Sequence, residues 1–61
     1  LLKVKLFDEQ HESDLEEVVN EFLITVDKDS IRDIQFQTAV TIDDVGEQIF
    51  CFSAMVVFIE E

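Results

Sequence analysis

Twelve consecutive residues from Gln48 to Ile59, QIFCFSAMVVFI, carry one amide, one hydroxyl and no charge. A bilayer-spanning helix needs about 20 apolar residues, so the run is too short to be one. Its aromatic and β-branched residues suit a strand. Side chains of a strand alternate between faces. Phe50, Phe52, Ala54, Val56 and Phe58 therefore line one side, and Ile49, Cys51, Met55, Val57 and Ile59 the other, with Ser53 among them. A strand apolar on both sides must be shielded on both, and this requirement constrains the rest of the chain.

The other elements follow from periodicity. In LLKVKLF, Leu2, Val4 and Leu6 alternate with Lys3 and Lys5, a strand pattern that the polar DEQHESD ends. Ser13 with Glu16 three residues on is a capping-box pattern and predicts a helix over 14–26. Asp14, Glu16 and Glu17 stand in its first turn, where the helix dipole favours acids. Leu15, Val18, Val19, Phe22 and Val26 fall on one face, and Ile24 points nearly the opposite way. VDKDS closes the helix. A second strand runs over 31–42, with Ile34, Phe36, Val40 and Ile42 alternating with Gln35, Gln37, Ala39 and Thr41. Asp43-Asp44-Val45-Gly46 is a turn before the third strand.

The predicted fold class is α+β, in the order β-α-β-β. A helical crossover leaves strands one and two parallel, and the hairpin reverses strand three. An all-antiparallel sheet then places strand three in the middle, order 1-3-2, with both of its edges covered. One helix shelters one face. The phenylalanine face is assigned to it, so that Phe22, Phe36 and the phenylalanines of strand three form one core. The opposite strip is left over, and such a strip marks a partner surface. Burying roughly 200–400 Å² of it per subunit contributes on the order of 5–10 kcal/mol before the cost of association. The expectation is a homo-oligomer formed by sheet-face packing, or contact with a protein partner. The interface residues are Ile49, Cys51, Ser53, Met55 and Val57, with Ala39, Gln35 and Gln37 beside them. Ile24 is a separate candidate.

Length and charge narrow the partners. Sixty-one residues suffice for a single domain, 1–61, of a size that often needs disulfides, metals or a second subunit. The single cysteine, Cys51, closes no internal disulfide and reads as a small buried hydrophobe in a reducing cytoplasm. Fifteen acids against four bases give a formal charge of −11, which repels nucleic acid and anionic membrane surfaces. The N-terminal stretch lacks the apolar core and cleavage site of a signal peptide. A cytoplasmic protein is expected.

Chemistry has thin support. Asp8, Glu9, His11 and Glu12, with Asp14, place oxygen and nitrogen ligands in seven residues, a weak cation site of calcium or magnesium type. A solvated loop feeding a helix cap is the favoured reading, since the ligands are all local in sequence. Asp27, Asp29 and Asp33 of DKDSIRD lack the glycine and the following helix of a calcium loop. The only histidine is distant in sequence from Cys51, Ser53 has no neighbouring base, and no glycine-rich loop exists to hold phosphate. No catalytic residue, no resident metal and no cofactor is therefore assigned, and the chain reads as a non-enzyme.

The segments KVKLFDE, H-x-x-D-L-E-x-x-V-N-x-F-L, D-I-Q-F-Q-x-A and EQIFCFSAMVVF together resemble the small acidic sporulation-protein family of endospore-forming Bacillota. The resemblance runs from Lys3 to Phe58 and is most specific over Ile49–Met55. It implies a cytoplasmic protein, of the mother cell, with no assigned biochemical activity and no site residues to transfer. The strand-helix-strand-strand order is also similar to that of dodecins, flavin-binding proteins whose subunits form hollow shells. That likeness implies an alternative, an oligomeric small-ligand carrier binding at subunit junctions. The dodecin pattern stacks a tryptophan on the flavin, and this chain has neither tryptophan nor tyrosine.

Overall fold

The computed structural model describes residues 1–60. The elements are β1 (Leu2–Glu9), α1 (Glu12–Ile24), a 3-10 turn (Lys28–Ser30), β2 (Ile31–Ile42) and β3 (Gln48–Ile59). They form one sheet in the order β1-β3-β2, with both pairs antiparallel. The expected topology is the observed one.

The helix starts earlier than the capping pattern predicts. His11 is extended (ψ 137°), and its carbonyl accepts the Leu15 amide at 3.1 Å, so helical bonding begins at Glu12. Ser13 and Glu16 then lie inside the helix and form no capping box, and the N-cap has no side-chain hydrogen bond. At the other end Thr25 Oγ1 donates to the Phe22 carbonyl at 2.7 Å and satisfies one terminal acceptor. The chain then re-turns at Asp27, whose carboxylate accepts the Asp29 amide at 3.0 Å.

The β2–β3 hairpin is set by its turn. Asp43 Oδ1 accepts the amides of Val45 (3.0 Å) and Glu47 (2.9 Å). Gly46 takes φ +84°, a conformation costly to any residue with a Cβ. From there the register is regular from Ile42↔Gln48 to Asp33↔Val57, with an irregularity between Ile31 and Asp33.

The core lies where α1 packs on β1 and β3. Leu15 from the helix and Ala54, Val56 and Phe58 from β3 are buried, Val56 completely. The Phe22 ring stands 5.2 Å from Phe58, edge-on, and 5.8 Å from Phe7. Val18, Val19 and Leu23 are half-buried beside it. The phenylalanine face of β3 is thus the helix face, as assigned.

One core around all these phenylalanines does not form. A 13-residue helix is about 20 Å long, whereas the twelve-residue strands span about 40 Å in a molecule 47 Å in its longest dimension. The helix shelters only the half of the sheet remote from the hairpin. Phe36 remains 63% exposed and Phe50 42%. These rings stack on Phe52 instead, at 6.4 and 6.0 Å. Coverage of β3 is also incomplete at its edge. β1 ends opposite Phe52, so Gln48–Cys51 have a neighbour only on the β2 side.

Candidate functional site

Residues paired across an antiparallel ladder point to the same face. The register therefore assigns the second face of the sheet residue by residue. From β3 it carries Ile49, Cys51, Ser53, Met55, Val57 and Ile59. β2 adds Thr41, Ala39, Gln37, Gln35 and Asp33 as their partners. All eight residues proposed from the sequence as an interface, Ile49, Cys51, Ser53, Met55, Val57, Ala39, Gln35 and Gln37, share this face.

β1 completes it with residues that sequence reasoning left unassigned. Leu2, Val4 and Leu6 pair with Ile59, Val57 and Met55, so their side chains lie on this same face. Leu6 is 70% exposed, and Leu2 and Val4 are exposed beside it. Lys3 and Lys5 point to the helix side, Lys5 with its ammonium 5.9 Å above the Phe7 ring. The alternation in LLKVKLF carried the signal. Its phase, apolar residues away from the helix, follows from Phe7, which must face Phe22.

The face has three zones. Leu2, Val4, Leu6, Met55, Val57 and Ile59 make an apolar field at one end. A polar row, Asp8–Ser53–Gln37, crosses the middle. Cys51, Ala39 and Ile49 continue the apolar surface on the hairpin. A shallow depression of about 540 Å³ lies at the boundary, lined by Leu6, Asp8, Gln35, Gln37, Ser53 and Met55 among others. Gln35 is held there by its Nε2, which donates to Asp33 Oδ2 at 2.9 Å. Cys51 is half-buried rather than buried, because its side chain faces the uncovered side. Its Sγ lies 3.8 Å from Ser53 Oγ.

The acidic segment does not converge. Strand alternation sends Asp8 to the bare face and Glu9 to the helix face, while His11 and Glu12 open the helix. Among the described residues, no three His, Cys, Asp or Glu side chains form a potential cation-binding group. None of the described residues is a buried polar or charged one. Lys3 bonds Glu60, and that hydrogen bond, together with the ammonium charge, holds the Glu60 carboxyl below the usual carboxylate range. Ile24 is 85% exposed on the outer side of α1, apart from the bare sheet face. No helix among the described residues is long and apolar enough to cross a membrane.

The family model described as Sporulation protein Cse60 matches residues 1–60. The sporulation protein cse60 of Bacillus subtilis (strain 168) is 40% identical over 58 residues, covering 95% of this chain and 97% of that protein. No solved structure shows a significant match.

Proposed function

The chain belongs to the Cse60 family of sporulation proteins, and from that premise we propose that it acts in the cytoplasm of a sporulating cell without catalysing a reaction, by packing its bare sheet face against a second copy of itself. The observation that carries the reading is the continuous apolar field of Leu2, Val4, Leu6, Met55, Val57 and Ile59, with no helix of its own above it. Monomers rarely expose an apolar patch beyond a few hundred Å². Covering roughly 400 Å² per copy contributes about 10 kcal/mol from each side of a dimer. The two sides together, about 20 kcal/mol, exceed an association cost of ~4–15 kcal/mol.

Electrostatics opposes any pairing of two copies at −11 each, so where the acids sit matters. Glu12, Asp14, Glu16, Glu17 and Glu21 lie on the helix, and Asp43, Asp44 and Glu47 in or beside the hairpin turn. On the bare face, only the two outer strands carry acids, Asp8 and Asp33. The residual repulsion is long-ranged and screened by salt. Self-association should therefore tighten as salt rises, the opposite of an assembly held by ion pairs.

Sedimentation across a dilution series, at two salt concentrations, tests the reading. The expected result is a mass of at least two chains at micromolar concentration that increases with salt. A single-chain mass throughout overturns it.

A further inference from the structure

The sheet has two outer edges, and they differ. β1 carries Lys3, Lys5, Asp8 and Glu9 in eight residues, the charged pattern that keeps an edge from recruiting another strand. β2 runs uncharged for nine residues, Ile34 to Ile42, IQFQTAVTI, with no proline. Its only protection is at the start, where the register irregularity sits and where Asp33 Oδ1 accepts the Ile34 amide at 2.9 Å. At the turn, the Asp43 amide bonds the Glu47 carbonyl across the hairpin. Antiparallel ladders alternate inward and outward groups. The amides and carbonyls of Ile42, Val40, Thr38, Phe36 and Ile34 therefore point away from β3, and the Ile34–Asp33 bond agrees.

We infer that this edge of β2 pairs with β2 of a second copy, antiparallel about a two-fold axis at Thr38. This contact is separate from the bare-face contact and stands or falls independently of it. The nine residues are nearly palindromic in character. About Thr38, Phe36 meets Val40, Ile34 meets Ile42, Gln37 meets Ala39, Gln35 meets Thr41, and Thr38 meets itself. Apolar residues oppose apolar ones on the helix face, and no paired position holds a charge. Threonine–threonine and aromatic–β-branched pairs are favourable across antiparallel strands. Phe36, Val40, Thr38 and their mates exchange six backbone hydrogen bonds, while Ile34 keeps its own Asp33. Large apolar side chains left bare by the short helix, Phe36, Val40, Ile34 and Ile42, gain neighbours in the same step.

The pairing also closes itself. The product is a six-stranded sheet whose outer edges are formed by β1, charged and unreceptive, and, past the end of β1, by the four residues Gln48–Cys51 of β3. An isologous contact of this kind stops at two copies. Combined with the bare-face contact, it gives assemblies above the dimer.

Amide hydrogen exchange on the full chain, read residue by residue by NMR, tests the inference. In an isolated subunit the amides of Gln37, Ala39 and Thr41 are protected by β3, and those of Phe36, Thr38 and Val40 are open. Edge pairing protects the second set too, by ~10-fold or more when the sample is mostly associated, and dilution removes that protection. Bare-face packing alone would not slow them. Unprotected Phe36, Thr38 and Val40 amides in a concentrated sample overturn the inference, whatever the measured mass. Thr38→Pro removes an outward N–H without touching the β3 ladder, a position where an edge strand tolerates proline. It should abolish the dilution-sensitive protection of Phe36 and Val40 and lower the mass. If the proline variant fails to fold, Thr38→Lys, which sets two ammonium groups at the axis, should do the same. Folded variants that keep both mass and protection refute the pairing. Met55→Glu should leave the protection in place.

Discussion

Replacing Met55 by glutamate separates folding from association. Met55 lies on the bare face of the central strand, between Leu6 of β1 and Gln35 of β2. It is half-buried in the single subunit and faces the side no helix covers, so a glutamate there still reaches water. The loss of folding stability should stay at about 1 kcal/mol, the scale of strand preferences. In a face-to-face pair the same carboxylate would be enclosed by Leu6, Val57 and their counterparts. Each copy would then lose about 1.5–3 kcal/mol of apolar burial and add a desolvation penalty of several kcal/mol for an unpaired charge. A loss of even 4 kcal/mol raises the dissociation constant by about a thousandfold. The assay is sedimentation equilibrium beside a thermal melt followed by circular dichroism, with Met55→Leu as the volume-conserving control. The expected outcome is a folded protein with the bare-face contact abolished, and a control indistinguishable from the parent. An M55E variant that assembles with unchanged affinity would refute the assignment of this face as an interface.

Two further outcomes follow from the core and from the chain ends. Phe22→Ala removes the ring between Phe7 and Phe58 and should lower stability by about 3 kcal/mol; a melting temperature within two or three degrees of the parent would show that the aromatic cluster is not the core. Glu60→Gln tests the Lys3 bond through pH. Because the folded carboxyl is held below its usual range, its contribution is present above the unfolded value and is lost as pH falls through the folded one. The parent and Glu60→Gln should therefore differ slightly at neutral pH in low salt and coincide in strong acid; a gap that widens on acidification contradicts the ion pair.

The topology was legible because one segment is so unlike its surroundings. A chain with a single twelve-residue strand apolar on both sides has little choice but to place it centrally, and β1 and β2 took the flanks. That Ile49, Cys51, Ser53, Met55 and Val57 share a face was legible for the same reason, since a period of two assigns a strand's faces without knowledge of its neighbours. Local hydrogen bonding escaped the pattern. Ser13 and Glu16 have the spacing of a capping box, yet the extended His11 lets the helix open one residue before Ser13. Cap motifs are weak when either of two starts, two residues apart, leaves the same apolar stripe, Leu15 to Phe22, facing the sheet.

The alternation of residues by itself determined which side chains travel together: the phenylalanines of β3 on one face, Met55 and Val57 on the other. Only the tertiary structure decided how far the shelter extends, and in which phase β1 joins. A helix rises about 1.5 Å per residue and a strand about 3.3 Å. Thirteen helical residues therefore cannot roof twelve in a strand, and Phe36 and Phe50 are left outside. The phase of β1 was settled by one contact, Phe7 against Phe22, which turns Leu2, Val4 and Leu6 away from the helix and onto the uncovered face.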